Sequence, residues 1–312
     1  MKSPLEDPRI YVQLQQLLLL EAHGRSFSLA RQRETGGRMA GRQASRLRGR
    51  GLDFDELRSY QAGDDVRDID WRVSARTRQP QVKIYRQERD RPTLLVIDQR
   101  VGMFYGTVHA MKSVVAAQTA ALLGWSAEFA GDRVGTLLFD DKHCEEYAPR
   151  RSRPQLLRVL AAVAKANQRL HADLPLGDHT ALNRALDIAA RLARHDHRVV
   201  VISDFDGSDQ HSREQLAGLA RHNELVCLLV HDPSARQALP LSDLVATDGS
   251  HQVALNLNDN RQRKRLLALS AGRIERVLGW GKEYGFPCHA LTTAEDTWPQ
   301  LRRLFAGSAG GR

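Results

Sequence analysis

From Thr93 onward, short runs of Val, Ile and Leu alternate with longer stretches in which apolar residues recur every three or four positions. The segments "TLLVID" (93–98), "DRVGTLLF" (132–139), "RVVVISDF" (198–205) and "LVCLLVHD" (225–232) carry few polar interruptions, as strands buried on both faces do. Between them the helical period predicts helices over 108–130, 153–170, 180–195 and 212–222. Strands separated by helices need parallel crossovers, so the expected fold class is α/β, with a doubly wound, mostly parallel sheet. The alternation is expected to continue through "HQVALNL", a helix over 260–284, "PCHALTT" and "TWPQLRRLF".

Ahead of residue 90 the pattern is different. It is irregular, Arg-rich and turn-rich, with one helix expected over 11–24 ("YVQLQQLLLLEAHG", closed by Gly24) and one strand over 80–88 ("PQVKIYRQE"). The domains expected are therefore an amino-terminal segment, 1–90, with an Arg-rich arm, a Rossmann-like domain, 91–307, and a frayed tail, 308–312.

Composition is that of a globular protein, with 42% hydrophobic and 27% charged residues among 312. The net charge of +9 is local: from Gly24 to Gly51 eight arginines stand against Glu34, a surplus of seven. Such an arm favours acidic partners. No aromatic residue lies between Arg31 and Arg50 to stack on bases, so a nucleic-acid partner is not expected. Cys144, Cys227 and Cys288 are odd in number and form no Cys/His ligand pattern, as reduced cytoplasmic thiols would. The apolar run Leu17–Leu20 is far shorter than the roughly 20 residues a membrane span needs, and the start MKSPLEDPRI has no signal-peptide core.

In a doubly wound sheet, ligands bind beyond the carboxyl ends of the strands. The residues there are Asp98 with Arg100 and Gly102, Thr180 in "GDHT", and Asp204 and Asp206 in "SDFDGSD". Asp98, Thr180 and Asp204 resemble the rim of a von Willebrand factor A-like domain. Its metal-ion-dependent adhesion site has D-x-S-x-S after the first strand, a Thr opening a later helix and an Asp after a later strand. Here both serine positions are changed, to Arg100 and Gly102. Magnesium needs near-octahedral oxygen ligation, and a guanidinium offers it only charge of the wrong sign. The site is therefore expected to be degenerate, with no cofactor. Three readings of Arg100 stand: it takes the metal's place between Asp98 and Asp204, it points into solvent, or it leaves Asp98 and Asp204, with Asp206 or Thr180 beside them, to hold magnesium weakly. Which of Asp204 and Asp206 faces the rim stays open, because a one-residue loop difference would exchange them.

Residues 49–90 are dense in charge. Asp64, Asp65, Asp68 and Asp70 cluster around the turn "AGDD", and Arg58, Arg67, Arg72 and Arg76 are interleaved with them. Clustered carboxylates allow a metal-dependent hydrolase or nuclease, whereas interleaved arginines point to an ion-pair network. Tyr60, Trp71 and Tyr85 are expected to anchor this segment on the sheet domain. The run "LRSYQAGDDVRDIDWRVSARTRQPQVKIY", including Arg58, Tyr60, Gly63, Asp64, Asp65, Arg67, Asp70, Trp71, Arg76 and Tyr85, closely resembles the signature of the domain-of-unknown-function 58 family. That resemblance implies a von Willebrand A-like domain after the signature and a link to MoxR-type AAA+ ATPases, which act in maturation or remodelling of client proteins. It implies no catalytic activity. The expected function is a cytoplasmic, non-enzymatic, protein-binding adaptor.

Overall fold

The computed structural model describes residues 7–26, 52–61, 64, 66–87, 91–175, 177, 179–235, 243–247, 252–256 and 260–306. In chain order the elements are α1 (Leu14–Leu19), α2 (Glu21–Gly24), β1 (Leu52–Ser59), α3 (Trp71–Thr77), β2 (Gln81–Gln87), β3 (Thr93–Asp98), α4 (Lys112–Phe129), β4 (Val134–Phe139), β5 (Cys144–Arg150) and α5 (Arg153–Gln168). They continue with α6 (Ala181–Leu192), β6 (Arg198–Ser203), α7 (Gln210–His222), β7 (Glu224–His231), β8 (Asp243–Thr247), β9 (Gln252–Asn256), α8 (Asn260–Tyr284), β10 (Cys288–Thr292) and α9 (Thr297–Ala306). The chain divides into two compact units, Met1–Gly37 with Arg91–Arg312, and Arg38–Asp90.

The larger unit is built on a six-stranded sheet in the order β10-β7-β6-β3-β4-β5. Every pairing is parallel except β4 with β5. β3, β4 and β6 are buried along their whole length, which is why their sequences show no polar alternation. One face packs Leu95, Ile97, Val200 and Ile202 against α4, α5 and α9, and the other packs Leu94, Val96, Val199 and Val201 against α6, α7 and α8. The fold is thus α/β with a doubly wound, mostly parallel sheet.

The structure adds strands that the pattern did not show and corrects several expectations. β5, "CEEYAPR", is a strand despite two glutamates and Pro149, because an edge strand need not be buried or donate every amide. β1 is likewise a strand; a register shift between Phe54 and Glu56 breaks its alternation. "HQVALNL" does not extend the large sheet. β9 pairs antiparallel with β8 in a separate ribbon, since the short connection between them can close only a hairpin. Finally, residues 7–26 belong to the α/β unit rather than to an amino-terminal domain. Val12 and Leu17 are wholly buried in its core, and Trp125 Nε1 donates to the Leu17 carbonyl at 3.0 Å.

The helix expected over 11–24 is two short helices, and Gly24 has a packing role. A Cβ there would lie 2.4 Å from Trp125 Cβ, so only glycine lets α2 approach α4 this closely.

In the smaller unit β1 and β2 form an antiparallel pair. Their connection holds a 3₁₀ turn, Val66–Asp68, and α3.

Candidate functional site

The loops after β3, β4 and β6 meet at one end of the sheet. Asp98 is the last residue of β3, and its carboxylate is wholly buried. Arg100 folds back onto it. Its Nε lies 3.0 and 3.1 Å from the two Asp98 oxygens, and its Nη2 lies 2.7 Å from Oδ2. The same Nη2 reaches Asp204 Oδ1 at 3.4 Å, and Nη1 donates to the Asp206 carbonyl at 3.0 Å. Four of the five N–H groups of the guanidinium are thereby used, and the Arg100 side chain is 8% exposed. The reading in which Arg100 points into solvent is overturned.

Asp204 faces the rim and Asp206 does not. The Asp204 side chain is 3% exposed and also pairs with Lys112 Nζ, at the start of α4. The Asp206 side chain is 55% exposed and pairs outward with Arg273. Two carboxylates and two cations therefore fill the interior of the rim. Burial works against the Arg100 charge, yet Asp98, and then Asp204, hold its pKa above the ordinary value. Burial likewise disfavours the Asp204 carboxylate, but the charges of Lys112, Arg100 and Arg273 prevail and lower its pKa.

Several rim residues escaped sequence reasoning. Ser203 Oγ donates to Asp98 Oδ2 at 2.6 Å and accepts from the Phe205 amide at 2.9 Å. Lys112 stands fourteen positions after Asp98, so only the docking of α4 brings it to Asp204. Asp141 ties the loops together, accepting from the amides of Val101 (2.7 Å) and Gly177 (3.2 Å). Its pKa is raised, by burial first and then by Asp98, against the two amides and Arg100. Behind the rim, Gln99 donates to the Ser113 carbonyl and accepts from Asn167, whose Oδ1 takes the Val12 amide.

Thr180 precedes α6 as an exposed residue, its carbonyl accepting from the Arg184 amide. It borders the Asp204–Gly207 loop, because a Cβ at Gly207 would lie 2.8 Å from the neighbouring His179 carbonyl. Gly102 has open space around its Cβ position.

In the smaller unit, Arg58 holds Asp64 with two hydrogen bonds of 2.9 and 2.7 Å, and Asp64 also accepts from the Gln61 amide. These bonds, Arg58 first, hold its carboxyl below the usual range. Asp70 accepts from the amides of Arg72 and Val73, capping α3. Arg67 and Arg76 are exposed. Gly63 and Asp65 lie outside the described residues, as does the Tyr85 side chain. Trp71 is 64% exposed and Tyr60 37%.

A sheet wound on both sides, with a rim of buried carboxylates neutralised by side-chain cations, defines the class: an α/β protein of Rossmann-like topology. The chain belongs to the DUF58 family, "Protein of unknown function DUF58", whose model matches residues 56–276. It is 27% identical to the "Uncharacterized protein Rv1480" of Mycobacterium tuberculosis and to the "Uncharacterized protein Mb1516" of Mycobacterium bovis, over all of this chain and 93% of each relative. Among solved structures it is similar to the conserved hypothetical protein BatB from Bacteroides thetaiotaomicron (TM-score 0.39, 11% identity, 69% of this chain and 97% of that one). It is also similar to an aerotolerance-related membrane protein from Bacteroides fragilis (TM-score 0.40, 14% identity, 69% and 96%). Among the described residues no helix is long and apolar enough to cross a membrane.

Proposed function

We propose that this chain is a cytoplasmic, non-enzymatic, protein-binding adaptor, a partner of a MoxR-type AAA+ ATPase in the maturation or remodelling of client proteins. In this reading its rim is a von Willebrand A-like adhesion site in which side chains replace the metal. One observation carries it: Arg100 and Lys112 both contact Asp204, and Arg100 also clasps Asp98. A divalent ion entering there would meet two fixed positive charges and carboxylates already satisfied. The positions of Asp98 at the end of β3, Thr180 before α6 and Asp204 after β6 support the comparison with an adhesion rim.

Direct capture of a partner carboxylate by Arg100, the simplest version of metal-free binding, finds little support, since one N–H remains and the group is buried. Arg100 acts as an internal brace that shapes the loops. A protein bound at the rim would meet its exposed surroundings, Tyr105 and Val108 in the loop after β3 together with Thr180 and Asp206. The hydrolase alternative receives no support from Asp64, whose two oxygens are held by Arg58 and the Gln61 amide, or from Asp70, whose Oδ1 caps α3.

The test is binding of the purified MoxR-type ATPase of the same host to the immobilised chain, with calorimetric titration of magnesium into the chain alone. A saturable complex and no magnesium uptake at millimolar concentration are expected. Absence of the complex overturns the adaptor role, and micromolar magnesium binding overturns the metal-free rim.

A further inference from the structure

The connection between β1 and β2 carries a second surface. Trp71, the first residue of α3, is 64% exposed, and Val66, five residues before it, is 55% exposed. Arg72, Arg76 and Arg78 are also exposed and make no ion pair with another described residue. From Val66 to Pro80 the sequence has four arginines against two acids, and one of those acids, Asp70, commits its carboxylate to the helix cap. α3 is fixed to its own unit: Ser74 is buried, its Oγ accepts from the Gln81 amide, and Asp70 N–H donates to the Gln81 carbonyl. The tryptophan is thus presented by a braced helix.

We infer that α3 is a docking knob for an acidic protein surface, with Trp71 seated in an apolar pocket and Arg72 and Arg76 paired with carboxylates at its edge. Exposing an indole to water is unfavourable, and Trp and Arg are the residues most enriched among those that dominate protein–protein binding energy. The charge of these arginines fixes the partner's sign. A protein fits better than single-stranded nucleic acid. The latter uses a groove with successive stacking rings, whereas α3 is a short helix with one indole.

This inference rests on the adaptor reading and assigns the ATPase contact to the smaller unit, leaving the rim for a second protein. The experiment measures binding of the same purified ATPase to the full chain and to two exposed-face variants, Trp71→Ala and Arg72→Glu/Arg76→Glu. Oligo(dT) serves as a nucleic-acid probe. Each variant is expected to weaken ATPase binding by about 30-fold or more while its thermal melt stays that of the parent. The charge reversal should also flatten the salt dependence. Parent-like affinity in both variants overturns the docking knob and leaves the adaptor reading intact. No complex with the parent chain overturns both. Oligo(dT) binding that is lost with Trp71, alongside unchanged ATPase affinity, replaces the protein partner with nucleic acid.

Discussion

Arg100 and Lys112 approach Asp204 from two different elements, the guanidinium toward Oδ1 and the ammonium toward Oδ2. Each Asp204 oxygen therefore already faces a side-chain cation, and restoring the two serines of an adhesion site would remove only one of the two cations.

Arg100→Ser with Gly102→Ser is accordingly expected to bind magnesium poorly, and the same pair with Lys112→Ala to bind it measurably better. Gly102 accepts the new side chain because nothing lies within 4 Å of its Cβ position. Without metal, Arg100→Ser should lose about 3–5 kcal/mol, since it leaves a buried carboxylate without its cation. Urea unfolding with and without magnesium reads both effects. Equal magnesium response in the double and triple variants would remove Lys112 from the argument.

Acid sensitivity should come partly from Asp232, which follows β7. Its carboxylate accepts from the amide and hydroxyl of Thr107 at 2.8 and 2.6 Å, the Thr293 hydroxyl at 2.5 Å and the Ser234 amide at 2.9 Å. Burial opposes the charge, but the bonds from Thr107, Thr293 and Ser234 bring the pKa down from 3.8 to about 2. A depressed folded-state pKa adds stability that is present above the unfolded value. It is lost as pH falls from about 4 to about 2, and amounts to about 2 kcal/mol. Asp232→Asn should flatten the stability profile in that window, measured by urea unfolding at stepped pH. A profile unchanged by the substitution would show that other carboxylates set it.

Gly207→Ala should cost more than Gly131→Ala. Both glycines have positive φ, +73° and +74°, so alanine is strained at either position by about 1 kcal/mol or more. At Gly207 the added Cβ also meets the His179 carbonyl at 2.8 Å, whereas at Gly131 nothing lies within 4 Å. Thermal melts of the two variants give the comparison. Equal losses would mean that the loops before α6 and after β6 yield to each other freely.

The parallel strands were legible because burial on both faces leaves uninterrupted aliphatic runs such as "RVVVIS". The helices between them were legible from their period, with ends differing by a few residues. β5 and β1 were not legible. An edge strand tolerates Glu146 and Pro149, and a register shift breaks the alternation of β1, so neither shows the apolar pattern that marks a strand.

At the rim, sequence order alone placed Asp98, Thr180 and Asp204 near strand and helix ends, because in a wound sheet those ends must converge. It left Arg100 with three possible roles and Asp204 and Asp206 interchangeable. Tertiary structure decided both, and it added Ser203, Lys112 and Asp141 to the cluster. Side-chain direction in a loop has no period to read. It is set when buried charge must find its counter-charge across elements that are distant in sequence.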